Sequence, residues 1–183
     1  MIMRIIAGQF KSRRLKGTPP SGIRPTSDKL RETIFNILGP AIGGATFLDG
    51  CAGMGAMGIE AISRGAAEVY FVDQSREAIR IIRENLETFD IEEGFKILEL
   101  DLTRALDMIS IQFDVAFIDP PYDREDLYMA CLERFRTGEL LTPDGVLIIE
   151  HSKRTEIPES IGSIHLVRSL VQGDAALAFY RTK

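Results

Sequence analysis

Two prolines hold a carboxylate next to an aromatic ring in the tetrapeptide Asp119-Pro120-Pro121-Tyr122. The tetrapeptide closes the apolar run 113–118, a pattern typical of a buried parallel strand that stops at the edge of a sheet. Because proline cannot extend a helix or donate a ladder hydrogen bond, the backbone just beyond the strand is fixed. Ligands of open α/β sheets bind beyond the carboxyl ends of strands, so the pattern predicts a chemical site. Taken alone, a tight turn with a surface tyrosine explains it equally well.

Carboxylates also follow the other predicted parallel strands, at Asp49, Asp73 and Asp101. Each of them could simply end a strand or cap the helix that follows. The carboxyl ends of parallel strands share one edge of the sheet, however, so four acids in these positions would meet there. This coincidence favours a common binding site over four unrelated caps.

A glycine loop follows Asp49, in which Gly53, Gly55 and Gly58 fit the pattern G-x-G-x-x-G, with Asp73 about twenty residues further on. The same pattern is typical of nicotinamide oxidoreductases, which are therefore a competing class. Asp49 would face the pyrophosphate of such a dinucleotide at short range, in a partly dry site where repulsion is strong. A ligand with a cationic amino group and no phosphate fits better, and S-adenosylmethionine is such a ligand.

Alternating strands and helices would position these residues. The helices follow the first four of the strands predicted at 46–49, 68–72, 95–100, 113–118 and 146–150. Residues 164–170 and 175–180 fit a closing antiparallel pair. The pattern predicts an α/β fold with a doubly wound, seven-stranded mixed sheet.

The amino-terminal segment is predicted to extend this sheet domain. Residues 4–9 and 11–16 fit the two short strands of a β-hairpin. Beyond the hairpin a helix is predicted, with Thr26 or Ser27 as its N-cap and Gly39-Pro40 at its end.

Composition limits the classes of protein that fit. With 183 residues, 45% of them hydrophobic, the chain can bury a substantial core. We divide it into an extension, residues 1–40, and a main domain, residues 41–183. No apolar run could cross a bilayer and the first one is too soon interrupted for a signal peptide, so a cytoplasmic protein without membrane contact is expected. Cys51 and Cys131 are far apart, and the two histidines form no ligand pattern with them, so neither a disulfide framework nor a metal site is expected.

Positive charge is concentrated near the amino terminus. Residues 1–31 contain eight basic side chains and one acidic, a net charge of +7, whereas the remaining residues contain 14 basic and 26 acidic, a net charge of −12. Lys and Arg gain affinity for nucleic acids by releasing counterions condensed on the phosphates. The segment is therefore a candidate contact for a phosphate backbone, or else a solvated basic hairpin.

Together these motifs resemble those of class I S-adenosylmethionine-dependent methyltransferases that act on exocyclic amines. Over essentially its whole length the chain is similar to the RsmD family, which methylates the N2 amine of one guanine in bacterial 16S ribosomal RNA. The segments that carry this closer resemblance are 4–8, 24–36, 58–65 and 173–174. The chain departs from the family pattern at Gly50 and Cys51, where large apolar residues are usual, and at Met54, where a serine is usual.

The resemblance implies a cofactor, a partner and a set of site residues. S-adenosylmethionine is the expected cofactor of a monomeric enzyme, and its expected partner is 16S rRNA, either free or within the small ribosomal subunit or an assembly intermediate. The expected catalytic residues are Asp119, Pro120, Pro121 and Tyr122. The expected cofactor contacts are Asp49, Ala52, Gly53, Gly55, Asp73 and Asp101. The expected RNA contacts are Arg4, Lys11, Arg13, Arg14, Lys16, Arg24, Lys29 and Arg31.

Three alternatives stay open at this point. An N6-adenine methyltransferase shares the tetrapeptide, since the motif serves either exocyclic amine. An NAD-dependent oxidoreductase would explain the glycine loop. A catalytically idle fold that binds during ribosome assembly would explain the departures at Gly50 and Met54.

Overall fold

The computed structural model describes residues 3–17, 26–121 and 124–183, which fold around an eight-stranded mixed sheet. Its strands are β1 Thr46–Gly50, β2 Glu68–Asp73, β3 Phe95–Glu99, β4 Phe113–Ile118, β5 Leu141–Ser152, β6 Ser160–Ile161, β7 Ile164–Gln172 and β8 Ala175–Thr182. In space they follow the order β3-β2-β1-β4-β5-β8-β7-β6. The strands β1 to β5 are parallel and β6 to β8 join them antiparallel. One edge of the sheet therefore collects the carboxyl ends of all five parallel strands.

Helices cover both faces of the sheet. They are α1 Asp28–Leu38, α2 Ala56–Ser63, α3 Arg76–Thr88, α4 Leu102–Met108 and α5 Glu125–Arg134, with a 3₁₀ helix, Gly39–Ile42, after α1. The helices α1 to α3 pack on the face that contains Phe47, and α4 and α5 pack on the face that contains Leu48. Neighbouring residues of a strand point to opposite faces, so each of the strands β1 to β5 contributes to both cores. Within the described ranges, no helix is both long and apolar enough to cross a membrane.

The predicted fold class is confirmed, with differences at the margins. The sequence predicts seven strands, and the additional strand β6 is only two residues long, too short to show a period in the sequence. β5 begins at Leu141 rather than at residue 146, because Leu141 already pairs with Phe113 ahead of an irregularity in the register. Ser27, not Thr26, caps α1, since the Ser27 hydroxyl accepts a hydrogen bond of 3.2 Å from the Leu30 N–H.

Residues 3–17, here called the arm, pack against α1, α2 and α3. The arm contributes four side chains to the same core as those helices, namely Met3, Ile5, Phe10 and Leu15. Its attachment therefore rests on burial of apolar surface as well as on hydrogen bonds.

The arm folds back on itself but does not form the two predicted strands. Arg4 and Arg14 make a single antiparallel bridge. Backbone hydrogen bonds flank this bridge, from the Leu15 N–H to the Met3 carbonyl at 3.0 Å and from the Ile5 N–H to the Arg13 carbonyl at 2.9 Å. Beyond Ile5 the next amides bond to α2 instead. The N–H groups of Ile6 and Ala7 donate to the buried Glu60 carboxylate, at 2.7 and 3.1 Å. The predicted hairpin is thus present as a short folded-back segment without regular strands, which α2 holds in place.

Candidate active site

The site is centred where the strand order reverses, between β1 and β4. These strands pair with Gly50 opposite Ile118, and the Asp119 N–H donates to the Gly50 carbonyl at 3.1 Å. Asp49 and Asp119 therefore lie on neighbouring strand ends. Such a reversal is where open α/β sheets bind their ligands.

Asp49 is a buried carboxylate at the end of β1, with 1% of its surface exposed. Its Oδ2 accepts a hydrogen bond of 2.7 Å from the Gly58 N–H in the first turn of α2, where helix amides attract negative charge. Burial raises the pKa of Asp49 to about 8, and the charge of Asp73 contributes to the increase. Oδ1 accepts no hydrogen bond from the residues that the structure describes, so that oxygen can face a cationic group.

Asp73 holds the glycine loop between β1 and α2. Its Oδ2 accepts a hydrogen bond of 2.8 Å from the Gly53 N–H, and its Oδ1 accepts one of 2.9 Å from the Ser75 N–H. Gly53 and Gly55 have positive φ angles of 56° and 78°, which glycine adopts without strain. No described atom lies within 4 Å of the Cβ position at Gly53, so a ligand can approach the backbone of the loop closely.

Gly58 lets α2 pack directly against β2. A side chain at this position would place its Cβ 2.7 Å from Cζ of the Phe71 ring. We expect Gly58→Ala to lower the free energy of unfolding by about 1–3 kcal/mol, the usual cost of overpacking a core. Denaturant unfolding measures this, and Gly43→Ala is the matched control because Gly43 has an ordinary φ of −66° and its Cβ position meets a neighbour only at 3.5 Å. Equal stability of the two variants would contradict the tight packing of α2.

Asp101 caps α4 and still offers one oxygen to a ligand. Its Oδ1 accepts hydrogen bonds from the Thr103 N–H at 3.0 Å, the Thr103 hydroxyl at 2.6 Å and the Arg104 N–H at 3.4 Å. The Thr103 hydroxyl contributes most to holding the pKa of Asp101 below its usual value. Oδ2 accepts no hydrogen bond within the described ranges. The capping role and the predicted ligand contact are therefore compatible.

The oxygens around the loop suit S-adenosylmethionine. A buried carboxylate with one oxygen to spare matches the cationic amino group, and an open glycine backbone permits close passage of the ligand. Asp49 would hold the amino group, Asp73 the ribose hydroxyls and Asp101 the adenine amine. The backbone passage would be formed by Ala52, Gly53 and Gly55.

Asp119 shares a hydroxyl group with a second carboxylate, that of Glu150 on β5. The Thr26 Oγ1 lies 3.3 Å from Asp119 Oδ2 and 3.4 Å from Glu150 Oε2. Since a hydroxyl has one hydrogen, it donates to one of these oxygens at a time. Burial raises the pKa of Asp119 well above its usual value, and the Glu150 charge raises it further. The corner formed by Asp119, Pro120 and the end of β5 therefore contains two close carboxyl groups, whereas the sequence predicts one.

Glu150 and Thr26 do not stand out in the motif pattern. Glu150 does carry a signal, because it lies near the carboxyl end of a fifth parallel strand, as the four predicted acids do on theirs. Thr26 carries none beyond a capping propensity, since its contact depends on how α1 approaches β4 and β5. Of the predicted catalytic residues, Pro120 is buried and Pro121 is exposed. Tyr122 lies outside the described residues.

The departures from the family pattern are accommodated in the structure. A Cβ at Gly50 would lie 3.2 Å from side-chain atoms of Ile118 and Leu102, so little space is left there. Cys51 has a positive φ of 62°. Burial raises the pKa of its thiol well above the usual value, which disfavours a thiolate nucleophile. Met54 is buried in the core.

Asn85 joins the arm to the glycine loop. This buried side chain on α3 accepts a hydrogen bond of 2.7 Å from the Lys16 N–H and donates one of 3.2 Å to the Lys16 carbonyl. It also donates to the Met54 carbonyl in the loop, at 3.1 Å. One amide group therefore fixes the end of the arm and the cofactor loop together.

The side chains predicted to contact RNA differ in their exposure and in whether their charge already has a partner in the protein. Those with exposed side chains and the fewest commitments are Lys11, Arg14, Lys16 and Lys29. Arg4 is exposed but pairs with Asp28 at 3.4 Å. The Arg13 guanidinium lies over the rings of Phe10 and Phe89, 5.4 and 4.7 Å from their centroids. Arg24 falls outside the described residues.

Arg31 requires a correction. Its side chain has no exposed surface, and its Nη2 donates to the Arg4 carbonyl at 2.7 Å and to Asp28 Oδ1 at 2.8 Å. Burial lowers the pKa of this guanidinium, although the charges of Asp28, Glu60 and Asp49 oppose the decrease. A side chain without exposed surface cannot contact RNA, so Arg31 anchors α1 to the arm instead.

The fold and the carboxylates around the glycine loop define a class I S-adenosylmethionine-dependent methyltransferase. The chain belongs to the family described as Conserved hypothetical protein 95, whose model matches residues 3–181. In Bacillus subtilis, "Putative rRNA methyltransferase YlbH" is 36% identical over 184 residues, which span 99% of this chain and 100% of the relative. In Escherichia coli, "Ribosomal RNA small subunit methyltransferase D" is 30% identical over 179 residues, which span 98% of this chain and 89% of the relative.

The fold of a solved relative agrees. A hypothetical protein of Thermus thermophilus, TTHA0928, superposes with a TM-score of 0.84 at 28% sequence identity, covering 98% of this chain and 99% of that one. Together with the methyltransferase relatives, this likeness decides against the nicotinamide oxidoreductase that the glycine pattern left open.

Proposed function

We propose that the protein transfers the methyl group of S-adenosylmethionine to the exocyclic N2 amine of a guanine in 16S ribosomal RNA. The proposal rests on one observation above others: Asp119 and Pro120 occupy the strand end next to Asp49 and its glycine loop. This arrangement supports a site in which Asp119 and Pro120 accept hydrogen bonds from an amine next to the bound methyl donor. The names of these two relatives refer to rRNA methylation, which supports an RNA substrate.

The groups of the chain would act on the amine of the base. An exocyclic amine is a poor nucleophile because its lone pair is delocalised into the ring. The Asp119 carboxylate and the Pro120 carbonyl can each accept one N–H, which orients the nitrogen and stabilises positive charge as it develops. S-adenosylmethionine, when bound, supplies a methyl group activated by a cationic sulfur. Tyr122 can stack on the base once it has left its own stack.

Contact of the amino-terminal extension with RNA is supported because the carboxyl-terminal end of the arm and the residue before α1 both meet the site. At Lys16 the backbone is joined through Asn85 to the glycine loop. Thr26, just before α1, donates a hydrogen bond of 3.3 Å from its hydroxyl to Asp119 Oδ2. The exposed charges of the arm can bind phosphates that flank a guanine in the site, which would fix the position of the RNA. Residues 1–40 are thus the proposed RNA-facing extension of the methyltransferase domain, residues 41–183.

Mass spectrometry of ribosomal RNA nucleosides tests the proposed function. RNA from cells that lack the gene should gain N2-methylguanosine in the small-subunit RNA when incubated with the protein and S-adenosylmethionine, as naked RNA or as assembled subunits. The Asp119→Ala variant is the negative control. N6-methyladenosine in place of N2-methylguanosine would support the adenine alternative, and no new methylation in either substrate would support the assembly factor.

Three exposed charges of the arm allow a quantitative test of RNA binding. We expect replacement of Lys11, Arg14 and Lys16 by Ala to reduce the slope of log K against log salt by about 2, since each lost phosphate contact with single-stranded RNA removes about 0.7. Fluorescence anisotropy at increasing salt concentration measures the slope. The matched control replaces three exposed arginines elsewhere on the surface, Arg104, Arg168 and Arg181. An unchanged slope in the arm variant would place the RNA on another surface.

A further inference from the structure

His151 carries a buried ring nitrogen that has no function in the site as described so far. The side chain is 6% exposed, and its Nε2 has no hydrogen-bond partner in the described part of the chain. Buried polar atoms are nearly always satisfied, so an isolated one needs an explanation.

The hydrogen bond at the other ring nitrogen fixes the chemical character of Nε2. The His151 Nδ1 lies 2.9 Å from the Ser152 carbonyl oxygen. Because a carbonyl oxygen only accepts, Nδ1 carries the hydrogen, and Nε2 of the neutral ring presents a lone pair. Burial lowers the pKa of His151, which keeps the ring neutral near pH 7. Nε2 is therefore an acceptor without a donor.

This acceptor lies at the amine-binding corner. β4 and β5 pair with Ile118 opposite Ile149, so Pro120 and His151 each lie two residues beyond that pair, on neighbouring strand ends. His151, Pro120 and Pro121 line one small cavity of about 10 Å³, together with Glu150 and Tyr128. Such a volume accommodates about one water molecule.

Guanine and adenine differ in the atom next to the exocyclic amine. In guanine, N1 beside the N2 amine carries a hydrogen, whereas in adenine N1 beside the N6 amine carries a lone pair. We propose that His151 selects guanine over adenine as the target base. Its Nε2 accepts a hydrogen bond from the N1–H of guanine, directly or through the one water molecule that the cavity can hold. The same lone pair repels the N1 lone pair of adenine. The inference rests on the guanine-N2 activity proposed above and names the residue that would select guanine.

A substrate analogue isolates this contact. 2-Aminopurine keeps the amine at N2 but has a lone pair at N1. With RNA that carries either base at the methylated position, we expect wild-type kcat/KM to favour guanine by about 10–100-fold, the usual worth of a base-edge contact. In His151→Gln the side-chain amide can turn to present either a donor or an acceptor, so the preference should fall to within about threefold. His165→Gln is the matched control, because it makes the same substitution on β7, outside this cavity, and it should keep the wild-type preference.

The outcomes separate the inference from the proposed function. Wild-type protein that methylates guanine and 2-aminopurine equally well would overturn the role of His151 whether or not the variant folds. A folded His151→Gln variant with the wild-type preference would also overturn it. Absence of any guanine methylation in ribosomal RNA would overturn the proposed function, and the inference with it.

Discussion

Asp119→Ala should reduce kcat for methyl transfer by about 10²–10³-fold and leave the affinity for S-adenosylhomocysteine within about threefold of wild type. The expected loss is large because, in the proposed mechanism, the carboxylate accepts a hydrogen bond from the amine as positive charge develops on the nitrogen. The proposed cofactor contacts are on other carboxylates, chiefly Asp49, so binding should persist. Single-turnover methylation of RNA measures the first quantity and titration calorimetry the second.

Two comparisons make the Asp119 result specific. Asp107→Ala removes an exposed carboxylate that pairs with Arg134 at 3.1 Å, and it should change neither quantity. The pH profile is the second comparison. Because burial and the Glu150 charge both raise the pKa of Asp119, kcat should increase as pH rises and Asp119 loses its proton. Glu150→Gln removes the repelling charge, so the acidic limb should move to lower pH. Full turnover by Asp119→Ala would remove this residue from the mechanism.

Affinity for S-adenosylhomocysteine should increase with pH up to about pH 8 and then level off. The pKa of Asp49 in the unliganded protein is raised to about 8, chiefly by burial. The ammonium group of the ligand prefers the ionised carboxylate, so below this pH binding must release a proton. Kd for S-adenosylhomocysteine should therefore fall by up to about tenfold per pH unit as pH rises toward 8.

Calorimetry in buffers of different ionisation enthalpy checks this prediction, because it counts the protons released on binding. Asp49→Asn keeps an oxygen for the Gly58 N–H and cannot ionise, so it should bind weakly and with little dependence on pH between 6 and 8. The matched control is Asp114→Asn, which changes a carboxylate at the opposite end of a parallel strand, where it accepts from the Thr46 N–H at 2.8 Å. If Asp49→Asn retained the wild-type pH dependence, another group would hold the amino group of the ligand.

Sequence periodicity is sufficient to predict the parallel strands and the acids that follow them at the binding edge of the sheet. An apolar run that ends in an acid needs little context, because a strand buried on both faces must be apolar and its first polar residue marks the edge of the sheet. Asp49 and Asp119 were found in this way, and the sheet places them on neighbouring strands. Glu150 follows the same rule, and applying it to the fifth strand would have found the second carboxylate of the corner.

The amino-terminal segment could not be predicted as well, because its conformation is decided by distant partners. The carboxylate of Glu60 accepts hydrogen bonds from the Ile6 and Ala7 amides, and it lies 54 residues from Ile6 in the chain. Arg31 appears in the sequence as one more charge of a basic segment. Only the packing of α1 against the arm shows that this guanidinium is enclosed. Local charge therefore predicts an electrostatic region but not which of its members reach solvent.

The side-chain amide of Asn85 also couples local unfolding of the arm to that of the glycine loop. The Lys16 N–H is bonded to the Asn85 oxygen, so its hydrogen exchanges with solvent when that side chain releases the arm. The same event removes the donor from the Met54 carbonyl, which makes the end of the arm and the glycine loop one cooperative unit of local unfolding. A ligand that stabilises the loop should then slow deuterium uptake at Lys16, so the segment proposed to face RNA would report whether the cofactor is bound.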